Sequence, residues 1–247
     1  LGDVQKRLGK PLVLILDEYD APPRKLTISL LRSFRSALSL ADDSRPFVHA
    51  IVLCGKTHVR DLRDELRPTG EETRGSGSLW NVALPIALSN LSEVELDQLI
   101  ADYVRESGVV FTREVRDELW RKTRGQPWLV SRILYQIDQQ LGTPRPDPQQ
   151  PQSQPGPTEA EVRSLCNQLL SEDCVHLLSV GDAVKDRREA QELLLRLLAG
   201  EEVRFDRCDE VQSYLLDVGL VTATDSGQNI EIANPIYEAY LLRVLGD

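Results

Sequence analysis

The chain has 247 residues, with 29 Lys+Arg against 39 Asp+Glu and a formal net charge of −10. With 41% hydrophobic and 28% charged residues, it has the balance of a globular protein that builds its core without disulfide or metal staples. No run of about 18 apolar residues occurs, which excludes a membrane-spanning helix, and the charged opening LGDVQKRLGK does not read as a signal peptide.

In chain order, residues 5–10 (QKRLGK) read as the tail of a helix leading into residues 11–16 (PLVLIL). That short continuous apolar run is the pattern of a parallel strand buried on both faces. Residues 25–40 place Leu26, Leu30, Phe34, Ala37 and Leu38 at helical spacing, and residues 47–54 (FVHAIVLC) form a second apolar run. Together they predict a strand–helix–strand unit. Residues 60–80 are polar and Gly-rich and read as a loop. Residues 81–88 (NVALPIAL) read as a third strand, confined by Pro85 to an edge or an ending.

Beyond Ser89 the pattern turns helical. Ser92 and Glu95 form an S-x-x-E capping box opening a helix through Ser107, and residues 112–123 and 127–141 give two more, the last with Pro127 in its first turn. Residues 142–157 (GTPRPDPQQPQSQPGP) hold six of the 14 prolines and read as an extended, disordered linker. After it, Thr158 and Glu161 cap a helix through Ser171, and helices follow at 172–180, 186–199 and 210–218, the last closed by Gly219. Residues 220–224 and 230–233 flank Asp225–Ser226–Gly227 as a hairpin, and a final helix covers 235–245. Helices followed by one hairpin describe a winged-helix-like domain. All of the net charge lies here: residues 158–247 carry 18 acids and 8 bases, whereas residues 1–157 carry 21 of each. Such acidity disfavours a nucleic-acid footprint, which needs clustered Lys/Arg, and favours protein partners or self-association.

Cys54, Cys166, Cys174 and Cys208 form no CxxC pair, and His49, His58 and His176 supply no zinc-ligand spacing. Four unpaired thiols fit a reducing cytoplasm. Cys166, Cys174 and His176 are expected to be core or surface residues, and Trp128 core.

Three features carry chemistry. Val13–Leu14–Ile15–Leu16–Asp17–Glu18 is an apolar strand ending in two acids, the Walker B pattern of P-loop NTPases. A buried parallel strand delivers such carboxylates to the ligand crevice. Asp17 is then suited to hold Mg²⁺ through water, and Glu18 to orient or deprotonate the attacking water. Gly55–Lys56–Thr57 is not a phosphate loop, because the first glycine of G-x-x-x-x-G-K-[ST] would fall on Ala50 inside a strand. It reads instead as a strand exit beside Walker B, offering Thr57, Lys56 or Arg60 to a γ-phosphate. The third feature, Arg124–Gly125–Gln126–Pro127, is a tight helix–helix turn able to lay Gly125, Gln126 and Pro127 against a nucleotide base.

Taken together, VLILDEYDA, FVHAIVLCGKTHVRDL, FTREVRDELWRKTRGQPWLVSRIL and IEIANPIYEAYLLRVL resemble the AAA-like, STAND-type P-loop ATPases of bacteria, related to the archaeal and origin-recognition group. The resemblance implies an α/β fold in four parts: a partial P-loop ATPase core at 1–90, a helical lid at 91–141, a linker at 142–157 and a winged-helix-like domain at 158–247. It implies ATP and Mg²⁺ as cofactors, Asp17 as the metal residue, Glu18 as the catalytic residue, and Thr57, Arg60, Gly125, Gln126 and Pro127 at the nucleotide. The absent methionine and the ten residues before Pro11 predict a chain cut downstream of its phosphate loop, inactive alone and part of a nucleotide-driven switch. The family's sensor Arg is replaced by Thr57. Two alternatives stand: a non-catalytic scaffold without a phosphate loop, and a DNA-binding initiator-like protein using a basic segment such as Lys185–Arg188.

Overall fold

The computed structural model describes residues 2–39, 48–55, 84, 86, 88–141, 154–171 and 174–246. They belong to two compact units, Leu1–Ala87 and Leu88–Asp247.

The first unit runs α1 (Gly2–Leu8), β1 (Val13–Leu16), α2 (Arg24–Ser39) and β2 (Ala50–Leu53). The strands pair in parallel, Val13 opposite Ala50 through Leu16 opposite Leu53, so the expected strand–helix–strand unit is present. Two details differ from the sequence reading. The strands are not buried on both faces: Leu16 and Leu53 pack on Tyr19, Ile28 and Leu31, whereas Val13, Ile15 and Val52 are exposed. Successive strand side chains point to opposite faces, and among the described residues α2 packs only on the face of Leu16 and Leu53. The helix is also rotated from its expected face. Thr27, Ile28 and Leu31 are buried, while Leu26 and Leu30 are exposed. The Thr27 hydroxyl fixes that rotation by lying 3.3 Å from the Pro22 carbonyl and 3.5 Å from that of Tyr19. The loop read at 60–80 lies outside the described residues, and so does most of the strand read at 81–88.

The second unit opens with α3 (Glu93–Ser107), β3 (Val109–Val110), α4 (Arg113–Thr123), α5 (Pro127–Leu141), β4 (Gln154–Pro155) and α6 (Glu159–Ser171). It continues through α7 (Val175–Lys185), α8 (Arg188–Leu198), β5 (Val203–Arg204), α9 (Glu210–Asp217), β6 (Val221–Ala223), β7 (Asn229–Ile232) and α10 (Pro235–Leu245). The hairpin closes where Asp225–Ser226–Gly227 places it, with the Gly227 N–H donating to the Thr224 carbonyl at 2.7 Å. β5 pairs with β7 to complete an antiparallel sheet in the order β5–β7–β6. Of the segment read as a linker, residues 142–153 lie outside the described residues. Gln154–Pro155 pairs in parallel with Val109–Val110.

Both capping boxes form. The Glu95 carboxylate accepts the Ser92 backbone N–H at 2.7 Å, and Glu161 accepts that of Thr158 at 2.6 Å. These backbone bonds, ahead of those from the Ser92 and Thr158 hydroxyls, hold both carboxyls below the usual range. A depressed folded-state pKa adds stability that is present above the unfolded-state value and disappears as pH falls through the folded-state one. Ser92→Ala and Thr158→Ala should each cost about 1 kcal/mol at neutral pH. Thermal melts from neutral to acidic pH should show parent and variants alike losing stability as Glu95 and Glu161 take up protons, with the difference between them falling only by the hydroxyls' smaller share.

Candidate functional site

Asp17 and Glu18 emerge from the C-terminal end of β1, both exposed. The chain turns sharply there. Glu18 takes a positive φ of 49°, its N–H donates to Asp17 Oδ1 at 3.0 Å, and the Ala21 N–H donates to the Glu18 carbonyl at 2.9 Å. A non-glycine residue in the left-handed region stores strain that its surroundings must hold. Here the restraint comes from β2. Cys54 N–H donates to the Leu16 carbonyl at 2.8 Å, and Tyr19 N–H donates to the Cys54 carbonyl at 3.0 Å. The parallel ladder thus runs past the strand ends and ties the acidic turn to the exit of its neighbour.

Gly55 completes this junction. A Cβ at that position would stand 2.6 Å from Asp20 Oδ1 and 2.6 Å from the Tyr19 ring, so any side chain there would have to displace the Asp20 carboxylate and the buried Tyr19 ring. The sequence reading placed the two strand ends side by side, and the structure does so through Gly55. It did not single out Thr27, Tyr19 or Gly55 as the residues that seat the turn. A glycine directly after the apolar run 47–54 was the available signal. Thr57, Lys56 and Arg60 lie outside the described residues.

The donors at the strand end are carboxylate oxygens, the hard ligands that Mg²⁺ prefers. Among the described residues, no three His, Cys, Asp or Glu side chains group as a metal cage. One or two carboxylates with water and phosphate oxygens is the manner in which Mg²⁺ is ordinarily held, and the exposed Asp17 carboxylate fits it.

The GQP turn is built within the second unit. Arg124 and Gly125 both have positive φ, 47° and 71°. The Leu91 N–H donates to the Gly125 carbonyl at 2.8 Å, and the Gly125 N–H lies 3.3 Å from the buried Thr123 hydroxyl. Gln126 Oε1 accepts the Leu129 N–H at 2.6 Å, capping α5. Pro127 is exposed in the first turn of that helix. Gly125 and Gln126 therefore have complete structural duties, and of the three Pro127 presents the free surface.

Trp128 differs from the expected core position. It is 37% exposed, and its ring stacks on His176 with centroids 4.5 Å apart and planes 11° from parallel. His176 Nε2 lies 2.7 Å from the Tyr237 hydroxyl, whose pKa burial pushes upward, with the nearby Cys174 adding to the shift. A helix-face reading assigns Trp128 inward because it cannot foresee a partner ring from a helix some 50 residues away. Cys166 and Cys174 are buried, and burial raises the Cys166 thiol to about 11.

The basic segment Lys185–Arg188 is tied locally. Arg187 lies 3.8 Å from the centroid of the Tyr214 ring, and Arg188 pairs with Glu192 at 2.8 Å.

No protein-family model matches the chain, and no curated protein matches it in sequence. Among solved structures it is similar to a Walker-type ATPase of Pyrococcus abyssi, at 14% identity and a TM-score of 0.63 over 98% of this chain and 65% of that one. It is also similar to the ORC2 protein of Aeropyrum pernix in ADPNP–ADP complexes, at 12% identity and a TM-score of 0.46 over 99% of this chain and 68% of that one. The first likeness is one of fold: the chain has an α/β architecture shared with a Walker-type ATPase and spans just under two thirds of that protein's length. No helix among the described residues is long and apolar enough to cross a membrane.

Proposed function

We propose that the chain belongs to an AAA-like, STAND-type ATPase, in which Mg²⁺-dependent ATP hydrolysis drives a conformational switch of the whole protein. The observation that carries this reading is the acidic turn: two exposed carboxylates at the C-terminal end of a parallel strand, held against a glycine at the exit of its neighbour. Open α/β sheets bind ligands at this edge, and the fold is like that of a Walker-type ATPase.

Asp17 would hold Mg²⁺ through water, and Glu18 would orient the water that attacks the γ-phosphate. The metal, when bound, neutralises charge on the phosphate oxygens. The family resemblance alone assigns Thr57 and Arg60 to the γ-phosphate, and it likewise assigns Gly125, Gln126 and Pro127 to the nucleotide. With Gly125 and Gln126 engaged in the fold, the base contact falls on Pro127 and the adjacent backbone. Residues 158–247, with α6–α10 and the β5–β7–β6 sheet, form the winged-helix-like part, whose acidic surface docks protein, either another chain or a further copy of this one, in the cytoplasm.

The test is Mg²⁺-dependent ATP turnover by the whole protein. Asp17→Asn should weaken Mg²⁺-ATP binding, while binding of ATP in EDTA stays as in the parent. A protein that binds no nucleotide at all would instead be the non-catalytic scaffold. The 247-residue chain by itself contains no G-x-x-x-x-G-K-[ST] motif, and such loops supply most phosphate contacts. It should show no Mg²⁺-ATPase above background in a phosphate-release assay.

A further inference from the structure

In the sequence, helices α3–α5 precede and α6–α10 follow residues 142–157, the segment that reads as a linker between a lid and a separate domain. Their side chains do not stop at that divider. The carboxylate of Glu118, on α4, has no exposed surface, and Arg163 on α6 donates to its Oε1 from Nε at 3.0 Å. Arg121 pairs with the same carboxylate, and both arginines also reach Glu159. A buried carboxylate requires a compensating cation, and for Glu118 one of the two comes from across the divider.

Around this ion cluster the packing is apolar. Leu119 and Ile133 from the first group share one core with Val162, Leu165, Leu169 and Leu241 from the second. The β3–β4 ladder adds a backbone seam. Gly156 is needed there, because a Cβ would overlap the Val110 carbonyl oxygen. Trp128 of α5 stacks on His176 of α7, which bonds Tyr237 of α10. Domains that move independently meet through smaller and more polar surfaces, whereas a large hydrophobic contact fixes them.

We infer that α3–α5 and α6–α10 are one folding and moving body, keyed by buried Glu118. Any displacement of the lid helices carries the winged-helix-like part with it, and residues 142–153 join two pieces of the same body. This concerns the folded unit alone and stands or falls separately from ATP hydrolysis.

Hydrogen exchange of the full chain in rising denaturant tests it. Amides of α4, α5, α6 and α10 should lose protection at one common midpoint, and Arg163→Ala should lower that midpoint equally in all four. Loss of protection in α6–α10 at a lower denaturant concentration than in α3–α5 would overturn the inference. So would an Arg163→Ala shift confined to one side. If Arg163→Ala does not fold, a protease site inserted between residues 147 and 148 decides the matter. The cut pieces should co-elute at micromolar concentration, and their separation would sink the proposal.

Discussion

Glu18→Gln in the whole protein is expected to lower ATP turnover about 100-fold or more, within the range of roughly 10²–10⁴ that a positioned general base contributes, and to leave Mg²⁺-ATP affinity close to that of the parent. The backbone of Glu18 is fixed by its own geometry: φ of 49°, its N–H on Asp17 Oδ1, and its carbonyl receiving the Ala21 N–H. None of these bonds uses the Glu18 carboxylate, so the amide leaves the turn intact and removes only the ability to accept a proton. Asp17 is different, because its Oδ1 already receives the Glu18 N–H. Asp17→Asn keeps an oxygen to accept that N–H but removes the negative charge offered to the metal, and it should raise the Mg²⁺ concentration needed for binding. Single-turnover rates and nucleotide affinities measured on both variants separate the two roles. Equal turnover in Glu18→Gln and parent would remove Glu18 from the chemistry. A fall explained wholly by affinity would make it a binding residue.

What the sequence made legible here is mostly local. The capping boxes at Ser92 and Thr158 and the 225–227 turn each rest on bonds spanning three residues or so, and residue type at fixed spacing determines them. The end of β1 was legible for the same reason, since the apolar run stops at Leu16 and two acids follow it. Long-range facts were not legible. The rotation of α2 depends on a hydroxyl meeting carbonyls five and eight residues away, and the exposed face of β1 depends on which neighbours cover it. β3–β4 is a two-residue ladder that includes Pro155, too short and too poor in strand formers to leave a pattern. Glu118 is the sharpest case. On a helix that otherwise reads as amphipathic, a glutamate suggests the solvent side, yet α6 covers it and supplies Arg163. The helix at 172–180 was placed early by about three residues and ended short. Cys174 caps α7 without a side-chain bond, so nothing in the residue types marks the boundary.

Gly125→Ala is expected to destabilise the second unit by about 3 kcal/mol, the sum of left-handed backbone strain and an unrelieved overlap. The comparison with Gly219 isolates the two causes. Gly219 has nearly the same φ, 73° against 71°, but a Cβ there would meet nothing within 4 Å. Its alanine variant should cost only the conformational share, about 1 kcal/mol. At Gly125 the added methyl would overlap the Leu91 carbonyl oxygen and stand 2.8 Å from the Trp120 ring. Neither neighbour yields cheaply. Leu91 is held by its own N–H bond to the Gly125 carbonyl, and it directly precedes the Ser92 cap of α3. Relief would therefore disturb the start of α3, the end of α4 and the Gln126 cap of α5 together. Denaturant midpoints of the two alanine variants, measured on the full chain, should differ by about 2 kcal/mol after scaling by a common m-value. Equal losses would mean that the turn relaxes around the methyl and that the close approach is not needed. A Gly125→Ala protein with parental stability would go further, leaving the glycine of this turn without a structural duty and free to be explained by a nucleotide alone.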